Sequence, residues 1–332
     1  MKEVTMDLLI NSAVDAAYNL ALEEIVAAEY PNAAIMLWRN ANAIIVGRNQ
    51  NTAAEINADF VRNRDIQVIR RMTGGGAVYH DLGNINYTII AKGRQLEYEA
   101  FSRNAGIIVQ VLNSMGVAAE FHGRNDILVD GRKISGSAKC VLSDRTLFHG
   151  TLLFDADLSV LGEALTPDES KIQAKGIKSV RSRVANLKEF LPQWDVEQFL
   201  QELQKRLSDI YGGREFQAVP DVFCEQGEAL ANKKYRTWDW NFGTAMNYSY
   251  YQKARFACGG VEVAFNVHNN RIADLNISGD FFGSRPAAEL AEKLNGSIPR
   301  YDDIAAKLAV IEVSDYISGL SATDLLTLFR LY

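Results

Sequence analysis

The first part of the chain alternates helical and strand-like patterns of apolar positions. Apolar residues recur at helical spacing from Val14 to Ile25, and Ser12 with Asp15 resembles a capping box, which predicts a helix that begins at Ser12. Strands are predicted at 35–38, 44–46, 67–70, 77–80 and 85–90, with a helix at 52–62. Three consecutive glycines, residues 74–76, predict a loop between two of these strands.

The later part of the chain continues with alternating elements and one long irregular segment. The predicted helices lie at 98–115, 195–211, 287–294, 304–309 and 323–331, and the predicted strands at 118–121, 126–129, 146–154, 254–256, 261–267 and 272–277. Residues 166–183 are rich in Lys, Ser and Gly and poorly periodic, which is typical of a functional lid or a disordered loop. The pattern predicts two α/β (α+β) domains, a large domain at 1–245 and a small α+β domain at 246–332.

Composition and charge narrow the class of protein. Apolar residues make up 48% of the 332 residues and charged residues 23%, which is typical of an ordinary globular protein. The net charge of −6 argues against nucleic acid as the main partner. No apolar run approaches the roughly 18 residues of a membrane span, and the N-terminus lacks the pattern of a signal peptide. We therefore expect a cytoplasmic protein with neither a nucleic-acid nor a membrane partner.

The strongest local motif is the glycine segment that follows two arginines. Three glycines let the backbone turn its N–H groups towards a ligand, and Arg70 and Arg71 can add bidentate contacts to phosphate oxygens. The motif is neither a Walker A loop nor the G-x-G-x-x-G of a dinucleotide fold. It predicts an anion site, with a flexible hairpin loop beside two solvated arginines as the alternative.

A second candidate is the lysine that precedes a run of small residues. Alternation along a strand would point Lys133 away from Ile134, and the small residues at 135–138 leave space for a narrow substrate channel. A lone lysine is more often a solvated surface residue.

Histidine and cysteine residues give weaker signals. His80 and His149 lie in strand-like runs, where a hydrogen-bonded structural histidine is the commoner role. The three cysteines, Cys140, Cys224 and Cys258, are widely spaced and form no C-x-x-C motif, which fits a reducing compartment. A buried, inert thiol is the favoured interpretation of Cys140.

Four motifs in order resemble the bacterial lipoate–protein ligase A family. They are RRMTGGGAVYHDLGNINYT (Arg70–Thr88), GRNDILVDGRKISGSA (Gly123–Ala138), HGTLLFDADLSVL (His149–Leu161) and KSVRSRVANL (Lys178–Leu187). The resemblance covers nearly the whole chain. It implies a catalytic domain of the biotin/lipoyl ligase fold, a mixed sheet flanked by helices, followed by an accessory domain.

The resemblance also implies roles for individual residues. Lys133 corresponds to the catalytic lysine, and the expected ATP and lipoyl-AMP contacts are Arg71, Gly75, Gly76, Ala77, Val78, Tyr79 and Lys133. The expected lipoate contacts are Lys133, Ser135, Gly136 and Ser137, and further candidates are Arg70, His80, Asn84, Asp126 and His149. The family often has Phe at the position of Tyr79 and Ser-Ser at Met72–Thr73. No metal ligands are assigned, and Asp126 is only a weak candidate.

The implied reaction has two steps. Lipoate and ATP form lipoyl-AMP with Mg²⁺ on the phosphates, and the lipoyl group then passes to a lysine of a lipoyl domain of a 2-oxoacid dehydrogenase complex or of the glycine-cleavage H protein. Fixed positive charge at Arg71 and Lys133 is expected to converge on one pocket. The segment 166–183 is expected to close over the adenylate, with movement of the C-terminal domain between the steps.

Two other functions remain open at this point. A transferase of the same fold would carry the acyl group as a thioester on Cys140 and would need no ATP, although transferases of this fold generally lack the C-terminal domain. A non-catalytic module that binds lipoyl-AMP or lipoyl domains is the other alternative, and the presence of both Arg71 and Lys133 argues against it.

Overall fold

A computed structural model describes residues 6–95, 99–165, 183–242 and 249–329, without the side chains of residues 53, 54 and 161. The strands are β1 (Met6–Ile10), β2 (Ala33–Trp38), β3 (Ala43–Val46), β4 (Gln67–Arg70), β5 (Val78–His80), β6 (Asn84–Lys92), β7 (Ala119–His122), β8 (Asp126–Val129), β9 (Arg132–Leu142), β10 (Arg145–Leu153), β11 (Gln217–Ala218), β12 (Tyr250–Phe256), β13 (Gly259–His268) and β14 (Arg271–Gly279). The helices are α1 (Ala16–Glu29), α2 (Thr52–Glu55), α3 (Ala58–Asn63), α4 (Glu99–Ser114), α5 (Leu158–Ala164), α6 (Val196–Ile210), α7 (Asp221–Leu230), α8 (Trp238–Phe242), α9 (Ala287–Leu294), α10 (Tyr301–Leu308) and α11 (Ala322–Leu326).

A large mixed sheet is the framework of the first part of the chain. Its eight strands follow the order β11-β1-β2-β6-β10-β9-β8-β7. Strand β1 runs parallel to both β11 and β2. From β2 to β7 in this order, each strand pairs antiparallel with the next. The expectation of a mixed α/β protein is therefore confirmed.

Strand β6 at the centre of this sheet is covered on both faces. Its apolar residues Ile85, Tyr87 and Ile89 belong to the core that includes residues of α4 and α6. Successive side chains of a strand point to opposite faces, so the polar residues at 84, 86 and 88 lie on the second face. That second face is also buried, because none of these three side chains is more than 2% exposed.

Helix α1 begins four residues later than the sequence pattern predicts. Asp15 is its N-cap, and the Asp15 side chain accepts a hydrogen bond from the backbone N–H of Tyr18 at 2.7 Å. A side-chain cap of this kind stabilises a helix by about 1 kcal/mol. The capping box predicted at Ser12 was wrong. Asp15, which was expected to be the third residue of the first turn, is itself the N-cap.

The helix predicted at 52–62 was also wrong in one respect. The chain forms two short helices, α2 and α3, and leaves the helical path at Ile56 and Asn57. The Asn57 side chain caps α3 by accepting from Phe60 N–H at 3.3 Å, and Ile56 pairs with Leu165 as an isolated bridge. An asparagine that competes for backbone hydrogen bonds explains the break.

The described chain groups into two compact units. The first contains Met1–Ile45, Ile56–Ile69 and Val78–Asn241, and the second contains Val46–Glu55, Arg70–Ala77 and Phe242–Tyr332. The glycine loop therefore groups with the C-terminal residues, which the sequence did not predict. The domain boundary after residue 245 stays a prediction.

The second unit is built around the antiparallel sheet β12-β13-β14. Its core includes Phe265 of β13 and Leu290 of α9. Phe281, which follows β14, and Phe329, which follows α11, also belong to it. The strands and helices agree with the predicted order of elements after residue 248, although the strands are longer than predicted.

Among the described residues, no helix has both the length and the apolar character that crossing a membrane requires. The segment 166–182, which includes nearly all of the predicted closing loop, lies outside the described residues.

Candidate active site

The lysine at the start of strand β9 is held over a glycine by an ion pair. Lys133 Nζ lies 2.7 Å from Asp126 Oδ1, and the two side chains are 37% and 35% exposed. A Cβ atom on Gly136 would lie 2.7 Å from Lys133 Nζ and 2.8 Å from Cε, so glycine leaves the room that the lysine side chain occupies. The main chain is fixed as well, since Lys133 N–H donates to Arg183 O at 2.8 Å and Ala185 N–H donates to Lys133 O at 2.9 Å. The ammonium group therefore has a defined position on the sheet.

A bulge follows Lys133 in β9. The partner of Leu128 is Lys133 and that of Ile127 is Ser135, so Ile134 is an extra residue in the strand. Ile134 is fully buried in the core, which confirms that the lysine points away from it. The extra residue places the lysine side chain on the same face as the glycine three positions later.

The bulge turns two predicted lipoate contacts towards the core. Ser135 Oγ lies 3.5 Å from Tyr87 Oη, and Ser137 pairs with Gly150, which itself pairs with Tyr87. A Cβ atom on Gly150 would lie 2.3 Å from that tyrosine oxygen. Burial raises the pKa of Tyr87 to about 12, so its hydroxyl stays protonated at neutral pH. The serines face this hydroxyl rather than the Lys133 ammonium, and their part in lipoate binding stays a prediction.

The second face of the sheet carries a buried polar network that reaches helix α1. His149 Nδ1 lies 3.0 Å from both carboxylate oxygens of Glu23. Thr88 Oγ1 donates to Glu23 at 2.6 Å and accepts from Trp38 Nε1 at 2.9 Å. Glu23 is only 2% exposed, and a buried carboxylate requires hydrogen-bond donors of this kind. His149 is thus part of a connected polar network.

A pair of asparagines lies beside this network on β6. Asn84 Nδ2 donates to Asn86 Oδ1 at 2.9 Å, and both side chains are buried. Trp38 and Thr151 are the cross-strand partners of Asn86 in β2 and β10. The Thr151 hydroxyl in turn accepts from the backbone N–H of Gly136 at 3.4 Å, which connects this row to the lysine.

Two further candidates make contacts that anchor loops. His80 Nδ1 lies 3.1 Å from Asn40 Nδ2, and Asn40 Oδ1 accepts from Asn19 of helix α1 at 2.9 Å. The Tyr79 hydroxyl donates to Asn42 Oδ1 at 3.0 Å, and burial raises the pKa of Tyr79. These contacts favour the structural interpretation of both side chains.

In the second unit, the guanidinium of Arg71 lies inside its own loop. Its Nη2 donates to Gly74 O at 2.7 Å and to Gly76 O at 2.8 Å, and its Nε donates to Thr73 Oγ1 at 2.9 Å. Because Arg71 is only 6% exposed, its charge acts on the loop carbonyls in this conformation. This contact was not predicted from the sequence.

Arg70 has a similar structural role in a neighbouring loop. Its Nη1 donates to the carbonyl oxygens of Gly47, Arg48 and Gln50 at 2.7–3.0 Å, and its Nη2 donates to Thr52 Oγ1 at 2.6 Å. Burial lowers the pKa of Arg70 to about 10, because a low-polarity environment disfavours the charged form. The arginine holds several backbone carbonyls in one arrangement.

The glycine loop also contacts residues that follow strand β14. Gly75 N–H donates to Phe281 O at 3.3 Å, and a Cβ atom on Gly75 would lie 3.0 Å from the Phe282 ring. Gly279 N–H donates to Asn49 O at 2.7 Å. The φ angle of Gly75 is 94°, in the left-handed region that favours glycine. Backbone contacts and glycine conformation together define the loop.

Comparisons with known proteins decide the family. The family model described as the lipoyl protein ligase A/B catalytic domain matches residues 15–208, and that of the bacterial lipoate protein ligase C-terminus matches residues 245–329. The chain is 38% identical over 323 residues to lipoate–protein ligase 1 of Staphylococcus aureus, with 96% of this chain and 98% of the relative covered.

This chain belongs to the lipoate–protein ligase family.

Other relatives agree with this assignment. Lipoate-protein ligase LplJ of Bacillus subtilis is 36% identical and covers 95% of this chain and 96% of its own length. The solved structure of P. falciparum LipL1 in complex with lipoate has a TM-score of 0.79 at 27% identity and covers 97% of each chain. A lipoate-protein ligase A bound with ATP has a TM-score of 0.61 at 25% identity, covering 73% of this chain and 99% of that one. The resemblance and the fold predicted from the sequence are confirmed.

The residues predicted for the ligase site fall into two groups. In the first unit the structure brings Lys133, Asp126 and Gly136 together. In the second it brings Arg71, Gly75 and Gly76 together, while Arg70 contacts the neighbouring loop. The convergence of Arg71 and Lys133 on one pocket stays a prediction. Among the described residues, no cluster of three or more His, Cys, Asp or Glu side chains is placed to hold a metal ion.

Sequence reasoning missed Glu23, Asn86 and Thr151. The signal for Asn86 was present, because polar residues alternate with apolar ones in Asn84–Thr88 directly after the glycine motif. Glu23 gave no such signal, since its partner His149 lies far away in the sequence.

Proposed function

We propose that this lipoate–protein ligase activates lipoate with ATP and transfers the lipoyl group to a lysine of a carrier domain. The observation that carries the proposal is the Lys133 ammonium, held by Asp126 over Gly136 on the sheet of a catalytic domain of this family. A mobile surface lysine would not need a glycine beneath it or a fixed main chain.

The first step brings two anions together. A carboxylate oxygen of lipoate attacks the α-phosphorus of ATP, a P–O bond forms, and the bond to diphosphate breaks. Fixed positive charge lowers the barrier because negative charge develops on the phosphoryl oxygens. Lys133 supplies that charge from the sheet, and Arg71 keeps the glycine loop in shape for the nucleotide.

The second step moves the acyl group to the carrier. The lysine amine attacks the acyl carbon of lipoyl-AMP, an amide bond forms, and the C–O bond to AMP breaks while the amine loses a proton. Lys133 stabilises the departing phosphate oxygen. The same ammonium group thus serves both steps.

Mg²⁺ enters this scheme with ATP. This ion retains several water ligands and is commonly bound through substrate phosphates with one or two carboxylates. Asp126 forms an ion pair with Lys133, which makes it a weak candidate for direct coordination.

The proposed partners are lipoyl domains of 2-oxoacid dehydrogenase complexes and the glycine-cleavage H protein, in the cytoplasm. A solved archaeal lipoylation system from Thermoplasma acidophilum, described as a bi-partite ligase and its E2 lipoyl domain, supports a lipoyl domain as acceptor. That ligase is 25% identical with a TM-score of 0.64, and it covers 74% of this chain and 100% of its own.

The thioester mechanism through Cys140 is less favourable. Cys140 is only 6% exposed within the sheet, and a buried thiol is poorly accessible to an incoming acyl group.

The test is diphosphate release from ATP with and without lipoate, followed by mass measurement of an apo lipoyl domain. We expect lipoate-dependent release and a mass gain of one lipoyl group, both retained by Cys140→Ser. Transfer without ATP, abolished by Cys140→Ser, would instead establish the thioester mechanism.

A further inference from the structure

Asn86 lies in the same cross-strand row as the catalytic lysine site. It pairs with Thr151 of the neighbouring strand, and the Thr151 hydroxyl accepts from the backbone N–H of Gly136, over which Lys133 lies. Neighbouring strands are about 4.8 Å apart, so two strand spacings put the backbone of Asn86 about 10 Å from that of Gly136. Both residues use the second face of the sheet, away from the Tyr87 side of the core.

The side chain of Asn86 presents a hydrogen-bond donor that lacks a partner. Asn86 is 2% exposed, and its Oδ1 accepts from Asn84 Nδ2 at 2.9 Å, so its Nδ2 points away from that contact. Within the parts of the chain that the structure describes, Asn86 Nδ2 has no hydrogen-bond partner. Buried amide groups are nearly always paired in native proteins, so an unpaired donor in a reaction centre points to a ligand.

Among the described residues, the amide oxygen of Asn84 is also without a hydrogen-bond partner. The polar groups on the neighbouring strands do not supply the acceptor that Asn86 lacks. In the next row, Thr88 donates its hydroxyl proton to Glu23, and the Glu23 carboxylate faces His149. Trp38, the other cross-strand partner of Asn86, is itself a donor to Thr88. The donor of Asn86 therefore lies between two groups of residues that are already paired with each other.

We propose that Asn86 Nδ2 donates a hydrogen bond to the acyl carbonyl oxygen of the acyl-adenylate, while Lys133 faces its phosphoryl oxygens. The two donors share one face of the sheet on strands two spacings apart, so they can approach different ends of one small ligand. A mixed anhydride has two such ends, an acyl oxygen and the phosphoryl oxygens. Lipoate carries oxygen only at its carboxyl group, so the anhydride end is the part of the acyl chain that offers a strong acceptor. This assignment rests on the proposed ligase function.

The donor matters most in the transfer step. When the carrier amine attacks the acyl carbon, the C=O bond opens and its electron pair moves to oxygen, which becomes an oxyanion until the C–O bond to AMP breaks. A fixed donor aimed at that oxygen stabilises the oxyanion more than the neutral carbonyl. Asn84 acts on this oxygen only through the orientation of the Asn86 amide.

The experiment follows transfer from preformed lipoyl-AMP to an apo lipoyl domain, using the full-length protein. Asn86→Ala is expected to lower kcat for transfer about a hundredfold, as loss of one oxyanion donor does, and to leave KM for the carrier domain within about twofold. Asn86→Asp keeps the acceptor for Asn84 but replaces the donor with a negative charge, so a larger loss is expected.

The matched control is Asn104→Ala. Asn104 is another buried asparagine, 7% exposed, but its Nδ2 donates to Ala100 O at 2.7 Å. We expect wild-type transfer kinetics from this variant, whatever the change in its melting temperature.

The outcomes separate this proposal from the general function. Wild-type protein that does not transfer from lipoyl-AMP contradicts the ligase function itself. Wild-type protein that transfers, with Asn86→Ala and Asn86→Asp both within about twofold in kcat, overturns the Asn86 assignment and leaves the ligase function intact. If Asn86→Ala fails to fold, Asn86→Asp and the smaller donor variant Asn86→Ser decide, because the serine hydroxyl is expected to recover part of the rate that the aspartate loses.

Discussion

Lys133 and the arginine pair at 70–71 are both cationic, yet the structure holds them in different ways. Lys133 projects from a strand, is partly exposed, and faces a carboxylate across a glycine. The guanidinium groups of Arg70 and Arg71 are buried and donate to backbone carbonyls and hydroxyls. Strand register positions the first charge, whereas the other two charges position the backbone around them.

This difference separates charge that acts on a substrate from charge that shapes a loop. The Lys133 ammonium can be removed without altering the sheet, because its partner among the described residues is a single side chain, Asp126. Removing a buried guanidinium leaves several carbonyls without donors, and unsatisfied buried groups destabilise the folded state. We therefore expect substitution of Lys133 to lower activity more than stability. We expect substitution of a buried arginine to lower stability more than activity.

The largest effect on activity is expected from Lys133→Ala. Loss of this fixed charge should lower the rate of lipoyl-AMP formation about a thousandfold, while the melting temperature stays near that of the wild type. Diphosphate release and a thermal melt measure the two quantities. Arg132→Ala is the control, because Arg132 is the preceding residue and pairs with Glu189. Equal losses in the two variants would contradict a specific role for the lysine.

The largest effect on stability is expected from Arg70→Ala. The carbonyls of Gly47, Arg48 and Gln50 lose a common donor, and we expect the free energy of unfolding to fall by about 3 kcal/mol. Urea denaturation measures it. Arg62→Ala is the comparison, since that side chain is 75% exposed and should change the stability by less than about 0.5 kcal/mol. A similar small change in both would mean that the buried arginine does not organise its loop.

A smaller effect distinguishes two adjacent glycines. Gly75→Ala places a Cβ at positive φ and near the Phe282 ring, which should destabilise the protein by about 1 kcal/mol. A Cβ on Gly76 meets nothing within 4 Å, so Gly76→Ala should leave the stability unchanged. If Gly76 borders the nucleotide, Gly76→Ala should raise KM for ATP without loss of stability, unlike Gly75→Ala, which should lose stability. Denaturation and ATP titration of both variants test this difference, and equal stability of the two would contradict the strain at Gly75.

Much of the fold could be predicted because its elements have strong local patterns. Strands β2, β6, β7, β8 and β10 of the large sheet and helices α4 and α6 agree with their apolar periodicity to within a few residues, whereas β1 and β11 were not predicted. Helix α7 was missed, because its ten residues carry only a weak apolar pattern. The start of α1 was misplaced, because Ser12 and Asp15 are both good capping residues and sequence alone does not rank them.

The candidate site could be predicted only as a set of residue types. The lysine and its glycine were identified correctly as neighbours in a motif, but their shared face depends on the bulge at Ile134, and alternation alone would have given that face to Ser135. The grouping of the glycine loop with C-terminal residues depends on contacts such as Gly75 with Phe281, which are distant in sequence. Such contacts leave no local pattern.

The bulge in β9 has a consequence for protein design. Grafting this ammonium group onto an unrelated antiparallel scaffold would require the four-residue unit Lys133–Gly136 together with an acidic residue opposite its last member. In a regular strand, a lysine and a glycine two positions away would share a face, but the lysine side chain would reach a different cross-strand neighbour. The bulge residue Ile134 is thus part of the smallest segment that could be transferred with this charged side chain.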